Sequence, residues 1–88
     1  MRFIRFDWDD RNTEHIARHG LEPFEVEGAL RGGALVLRGR EGRYLAYGRT
    51  TAGRYLFIVL RARGGGLARV ITARDMTDAE RRFYHRRH

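Results

Sequence analysis

At 88 residues with no cysteine, the chain allows one domain with a thin core and excludes disulfides and thiolate metal sites. All 18 of its Lys+Arg positions are arginine, against 11 acids, for a net charge of +7; that balance suits a large anionic partner better than a small substrate enclosed in a deep pocket. The opening Met1-Arg2-Phe3-Ile4-Arg5-Phe6-Asp7 lacks the apolar stretch of a signal peptide, and the longest apolar run, residues 55–60, is too short to cross a bilayer, so a cytoplasmic protein with no membrane partner is expected.

Residues 2–8 alternate, with Phe3, Arg5 and Asp7 on one side and Ile4, Phe6 and Trp8 on the other, which predicts a strand. Asp9 or Asp10 is suited to cap a helix running to His19, and Gly20 stands where a helix is left through a positive φ. In the next helix Pro23 fits the first turn, Glu25 and Glu27 suit its positive end, and Gly32-Gly33 terminates it; Phe24, Ala29 and Leu30 are expected to form its buried stripe. Strands are then predicted over 34–37, over 43–50 up to the turn Thr51-Ala52-Gly53, over 54–63 and over 67–74. The third of these is the most apolar and is expected at the centre of the sheet, with Tyr55 and Phe57 in the core; Gly64-Gly65-Gly66 makes the hairpin turn that follows it. Thr77-Asp78-Ala79-Glu80 has the spacing of a capping box and opens a helix over 78–87, with Phe83 toward the sheet. The order β-α-α-β-β-β-β-α predicts a single α+β domain over residues 1–88, with two N-terminal helices and one C-terminal helix on a mostly antiparallel sheet of four to five strands.

Charge is divided unevenly. Residues 1–30 hold four arginines and seven acids, whereas residues 31–88 hold fourteen arginines and four acids. Such a basic second part points to a polyanion-binding surface; a surface that meets an acidic protein has the same composition. His15 and His19 lie four apart on one helix face, but the metalloprotease pattern needs a glutamate where Ile16 stands, and helix capping accounts for the aspartates nearby, so no metal site is expected. The triple glycine joins two strands and opens no helix, so it offers no phosphate loop, and no cofactor is expected.

Phe6-Asp7-Trp8-Asp9 before a helix ending Arg18-His19-Gly20, Tyr44-Leu45-Ala46 with Gly48-Arg49-Thr50, Ile71-Thr72-Ala73-Arg74, and Glu80-Arg81-Arg82 with Tyr84 together resemble the BrnT family of type II toxins, in order along nearly the whole chain. Three departures stand out: a slightly shorter first helix, Thr72 in place of the usual serine, and a short loop over 39–42 where the family often has an acidic one. The resemblance implies a RelE-like fold, RNA cleavage that halts translation, and neutralisation by a BrnA-like ribbon-helix-helix antitoxin, with operon DNA reached only through that complex.

Metal-independent RNA cleavage can use the substrate's own 2′-hydroxyl, with fixed cations offsetting the charge of the transition state. Arg49 and Arg74 end predicted strands and match family motifs, which makes them the expected catalytic phosphate clamp; the bland alternative is that they face water or pair with an acid such as Asp75. His19 is the expected general base or acid, ahead of His15, although a histidine before Gly20 equally suits the negative end of a helix. Trp8 and Tyr47 are candidates for stacking on RNA bases, and Arg81, Arg82 and Tyr84 for RNA contacts from the closing helix. A non-catalytic nucleic-acid-binding module and an interaction protein for an acidic partner remain the competing readings.

Overall fold

The computed structural model describes residues 3–87, so Arg2, at the start of the first predicted strand, and His88, in the basic tail, lie outside the described residues. The chain runs β1 (Arg5–Asp7), α1 (Asp10–Ala17), α2 (Pro23–Arg31), β2 (Leu35–Arg38), β3 (Arg43–Arg49), β4 (Tyr55–Gly64), β5 (Leu67–Asp75) and α3 (Asp78–Arg87). This is the expected α+β order. The five strands form one sheet in the order β1-β5-β4-β3-β2. Among the described residues only the β1–β5 pair is parallel, and the apolar β4 lies at the centre.

Local chemistry explains the element ends. Asp9 caps α1 by accepting from the Asn12 amide, while the Asn12 side chain accepts from the Asp9 amide. Thr77 and Glu80 exchange the corresponding bonds at the start of α3. The hairpin Gly64-Gly65-Gly66 has φ values of 87°, 60° and 79°, a left-handed run that other residues enter only with strain.

The core lies between one face of the sheet and helices α1 and α2. Leu56, Ile58 and Leu60 of β4, Ala46 of β3, and Ala68, Val70 and Ala73 of β5 meet Ile16, Leu21, Val26 and Ala29 from the helical side. At Gly48 an added Cβ would stand 2.9 Å from the Ala29 carbonyl oxygen, so the close approach of α2 to β3 requires glycine there. Two expectations fail at this layer. Phe24 is 69% exposed, and Val26 takes its place in the buried stripe beside Ala29 and the partly buried Leu30. Tyr55 and Phe57 lie outside the core, because alternation along β4 buries Leu56, Ile58 and Leu60 and turns the two aromatic residues to the opposite face.

Strand β5 departs from strict alternation. Val59 pairs with Thr72 and Leu60 with Val70, leaving Ile71 as one extra residue in β5. Val70 and Ala73, three apart, therefore share the core face, while Arg69 and Arg74, five apart, share the other. Without the bulge Arg74 would have the parity of Ala68 and Val70 and would point into the core.

Buried Asn12 joins the helical layer to the sheet edge. Its amide donates to the Asp7 and Val70 carbonyls, both at 2.9 Å, and so satisfies the β5 edge where β1 stops. Asn12→Ala would take this donor from the buried bond to the Val70 carbonyl and from the part-buried bond to the Asp7 carbonyl, and remove half of the α1 cap. A loss of roughly 2–4 kcal/mol is expected in chemical denaturation; a midpoint unchanged from the parent would show that water replaces the amide at no cost.

Candidate functional site

The sheet face opposite the core is partly covered by α3 and otherwise open. On it, Arg49 at the end of β3 stands directly across from Tyr55 of β4, and Phe57 of β4 stands across from Arg74 of β5. The two arginines thus flank the central strand on the same face, with Cα atoms roughly 12 Å apart from strand geometry.

Each guanidinium has an aromatic floor. The Cζ of Arg49 lies 5.2 Å from the Tyr55 ring centroid, that of Arg81 lies 4.3 Å from the same ring, and that of Arg74 lies 4.6 Å from the Phe57 ring. Among the described residues neither Arg49 nor Arg81 forms an ion pair, so both positive charges are available to an anion. Tyr47 completes the floor, with its ring 5.2 Å from Phe57 and 5.1 Å from Phe83 of α3. Burial, then the nearby Glu80 charge, pushes the Tyr47 phenol up, so it stays protonated at neutral pH and cannot act as a base there.

Arg74 is held differently. It makes a two-pronged pair with Glu80, Nη1 to Oε1 at 2.7 Å and Nη2 to Oε2 at 3.0 Å, and Nη1 also donates to the Asp75 carbonyl at 3.1 Å. Three of its five guanidinium N–H groups are engaged and two remain for a ligand. Its acid is therefore Glu80, while the Asp75 carboxylate accepts from Arg54. The Arg74 hydrogen bonds hold the Glu80 carboxyl below the usual carboxylate range, and the Thr77 amide acts in the same direction. A carboxylate held low in the folded chain stabilises it at neutral pH and loses that contribution as pH falls through its folded-state value. Glu80→Gln should cost about 1 kcal/mol at neutral pH, given the solvent that reaches the pair. That deficit should shrink on acidification below about pH 4; thermal melts of both proteins from neutral to acid pH check this, and parallel curves would count against it.

The remaining candidates are dispersed. His19 is exposed beyond the end of α1, its ring 6.2 Å from that of His15, and its backbone carbonyl accepts from Arg54 at 3.0 Å. The histidine beside the arginine cluster is His85, whose ring lies 5.3 Å from Tyr55. Sequence reasoning passed over it because only helical phase distinguishes it within a basic tail: it stands four residues after Arg81, on the same side of α3. Trp8 is partly buried against the core and donates to Glu27 of α2 at 2.8 Å, away from the cluster. Tyr84 is 7% exposed and packs against Tyr55, which makes it a support for α3. Arg82 is exposed. Among the described residues no group of three or more His, Cys, Asp or Glu is placed to share a metal ion, and no helix is long and apolar enough to cross a membrane.

Comparison with known proteins decides the family. A family model described as the ribonuclease toxin BrnT of type II toxin–antitoxin systems matches residues 8–80. The chain belongs to the BrnT family. A search of curated proteins finds no match. Among solved structures, the crystal structure of the Brucella abortus ribonuclease toxin BrnT is similar at 22% identity, with a TM-score of 0.66, covering 89% of this chain and 100% of that one. This likeness agrees with the RelE-like α+β arrangement implied by the sequence resemblance. The matched stretch of this BrnT-family chain contains Arg49, Arg74 and Glu80, whereas Arg81 and His85 lie just beyond it.

Proposed function

We propose that this BrnT-family chain cleaves RNA without a metal ion and so arrests translation in the cytoplasm, with the open sheet face as its reaction surface. The observation that carries this reading is the convergence of Arg49 and Arg81 on Tyr55, with Arg74 on Phe57 beside them. In this chemistry the 2′-oxygen attacks the adjacent phosphorus, the 5′-oxygen departs with a proton, and a 2′,3′-cyclic phosphate remains. Negative charge accumulates on the phosphoryl oxygens as the bond breaks. Guanidiniums held on a sheet offset that charge without reorganising and cannot themselves deprotonate.

The roles divide by partner. Arg49 and Arg81 have no acid to release and are the primary phosphate ligands. Arg74, oriented by Glu80, directs its two remaining N–H groups to the same anion. Proton transfer falls to His85, whose ring stands in the cluster, ahead of His19, which stands with His15. Arg82 extends the basic rim along α3, and Tyr47 borders the bases as a wall between Phe57 and Phe83.

The same face suits a neutralising partner. Leu35, Leu37, Leu45 and Val59 lie on it half-buried, with arginines around them, the pattern of an apolar patch within a charged rim. A BrnA-like ribbon-helix-helix antitoxin seated there would cover the cluster and carry the complex to operon DNA.

Incubation of the purified chain with RNA in EDTA tests the reading. Fragments ending in 2′,3′-cyclic phosphate are expected, 2′-O-methyl RNA should stay intact, and the antitoxin should block the reaction. Cleavage only with added divalent metal, or cleavage of the 2′-O-methyl strand, would refute it. RNA bound yet whole after long incubation would favour a non-catalytic binding module.

A further inference from the structure

A second basic feature lies at the opposite end of the open face. Arg43 of β3, Arg61 of β4 and Arg69 of β5 stand in one row, Arg43 directly across from Arg61 and Arg61 directly across from Arg69. Like charges directly opposite one another in neighbouring strands destabilise a sheet, and strands about 4.8 Å apart keep this row tight. Arg63, Arg11 and His15 join the row to line a groove of about 480 Å³.

The groove has few counter-charges. Asp7 accepts from Arg63 at 3.2 Å and from Arg69 at 3.4 Å, and Asp9 accepts from Arg69 at 3.1 Å. Those two acids orient Arg63 and Arg69. Among the described residues Arg11, Arg43 and Arg61 form no ion pair, so three arginine charges line one groove without an acid of their own. An anion with several charged groups would supply the counter-charge.

The lining identifies the kind of anion. Among the described residues Val70 and Ile71 are its only apolar lining, and no Phe, Tyr or Trp contributes. A protein-docking site needs apolar or aromatic anchors at its centre. Arginines carried at one level of three adjacent strands, lining an open groove, suit a chain of phosphates. The row also lies six residues along β3 from Arg49, roughly 20 Å by strand rise, across the half-buried Leu45, Val59 and Thr72.

We infer that this groove is a second phosphate-binding site, which grips the backbone of single-stranded RNA several nucleotides away from the bond cut at the Arg49 cluster. The inference rests on the RNA-cleaving reading above, but its test reads binding alone. A 2′-O-methyl RNA of about ten nucleotides, which cannot be cleaved through a 2′-hydroxyl, is titrated against the parent and the Arg43→Ala, Arg61→Ala double variant over a range of salt. The variant should bind at least tenfold more weakly. Its dependence of log K on log salt should be shallower by about 1.4, the expectation for two lost contacts to a single strand. Its Tm should equal or exceed the parent's, because the row has lost its repulsion, and this keeps the result separate from misfolding. A control with Arg18→Ala and Arg86→Ala loses the same charge outside the groove and should bind within twofold of the parent.

Equal weakening in the control and the groove variant would reduce the effect to net charge and overturn the site. Unchanged RNA affinity in the groove variant would also overturn it, whether or not the parent cleaves RNA. If the groove variant keeps RNA affinity but loses affinity for a poly-glutamate peptide, the groove takes an acidic protein segment and the inference fails. Tenfold weakening in a parent that never cleaves RNA would sustain the site while removing the catalytic reading.

Discussion

Arg49→Ala should slow RNA cleavage by about 10²–10³-fold, the cost of removing one preorganised group that stabilises charge in a transition state. The fold should survive unaltered, because the side chain is exposed, makes no ion pair among the described residues and contributes one contact over Tyr55 at 5.2 Å. A Tm within about 3 °C of the parent is expected for such a surface change. The variant should also lose the capacity to arrest growth when expressed without its antitoxin. A variant that cleaves as fast as the parent, and still does so when Arg81→Ala is added, would exclude the cluster as the reaction centre, because Arg81 is the other cation over Tyr55.

Arg74→Ala should combine two effects that are separate at Arg49. Activity should fall on the order of 10²-fold for the lost cation. Stability should fall by roughly 1–2 kcal/mol, because Glu80 loses both guanidinium bonds while remaining partly buried and Phe57 loses its cover. For a chain of this size that is a Tm lowered by about 5–12 °C. Arg74→Lys should recover little of either quantity, since an ammonium cannot reproduce a planar fork engaging two carboxylate oxygens. Removing Glu80 as well, in an Arg74→Ala, Glu80→Ala protein, should restore only part of the stability, since the Thr77 amide then loses its acceptor at the start of α3, and none of the activity. Full activity in the lysine variant would show that a point charge suffices at this position.

Much of the fold was legible in the sequence because the relevant signals are local. Asp9 and the Thr77–Glu80 spacing mark helix starts through bonds within four residues, and Gly64-Gly65-Gly66 marks a hairpin through backbone freedom alone. The apolar run of β4 correctly indicated a central strand. The site was less legible because its assembly depends on which sheet face the helices leave open. Alternation places Tyr55 and Phe57 together, and their size and aromatic character point to the core; α1 and α2 instead bury the aliphatic set Leu56, Ile58 and Leu60. His19 and His85 have the same intrinsic chemistry, and only the packing of α3 across Tyr55 distinguishes them. The Arg43–Arg61–Arg69 row comes from three strands, and its alignment follows from inter-strand register rather than from any motif.

The extra residue at Ile71 gives β5 a sensitivity that its neighbours lack. If the ladder straightened while keeping that residue, Arg69 and Arg74 would fall on opposite faces and one charge would turn toward the layer of Leu56 and Ile58, whereas deleting one residue together with the bulge would leave the two arginines four apart on the same face. The bulge and an even spacing are thus two routes to the same facing, and what the segment has to keep is the agreement between its length and its pairing. In evolutionary terms β5 can lose a residue together with its bulge, but neither one without the other.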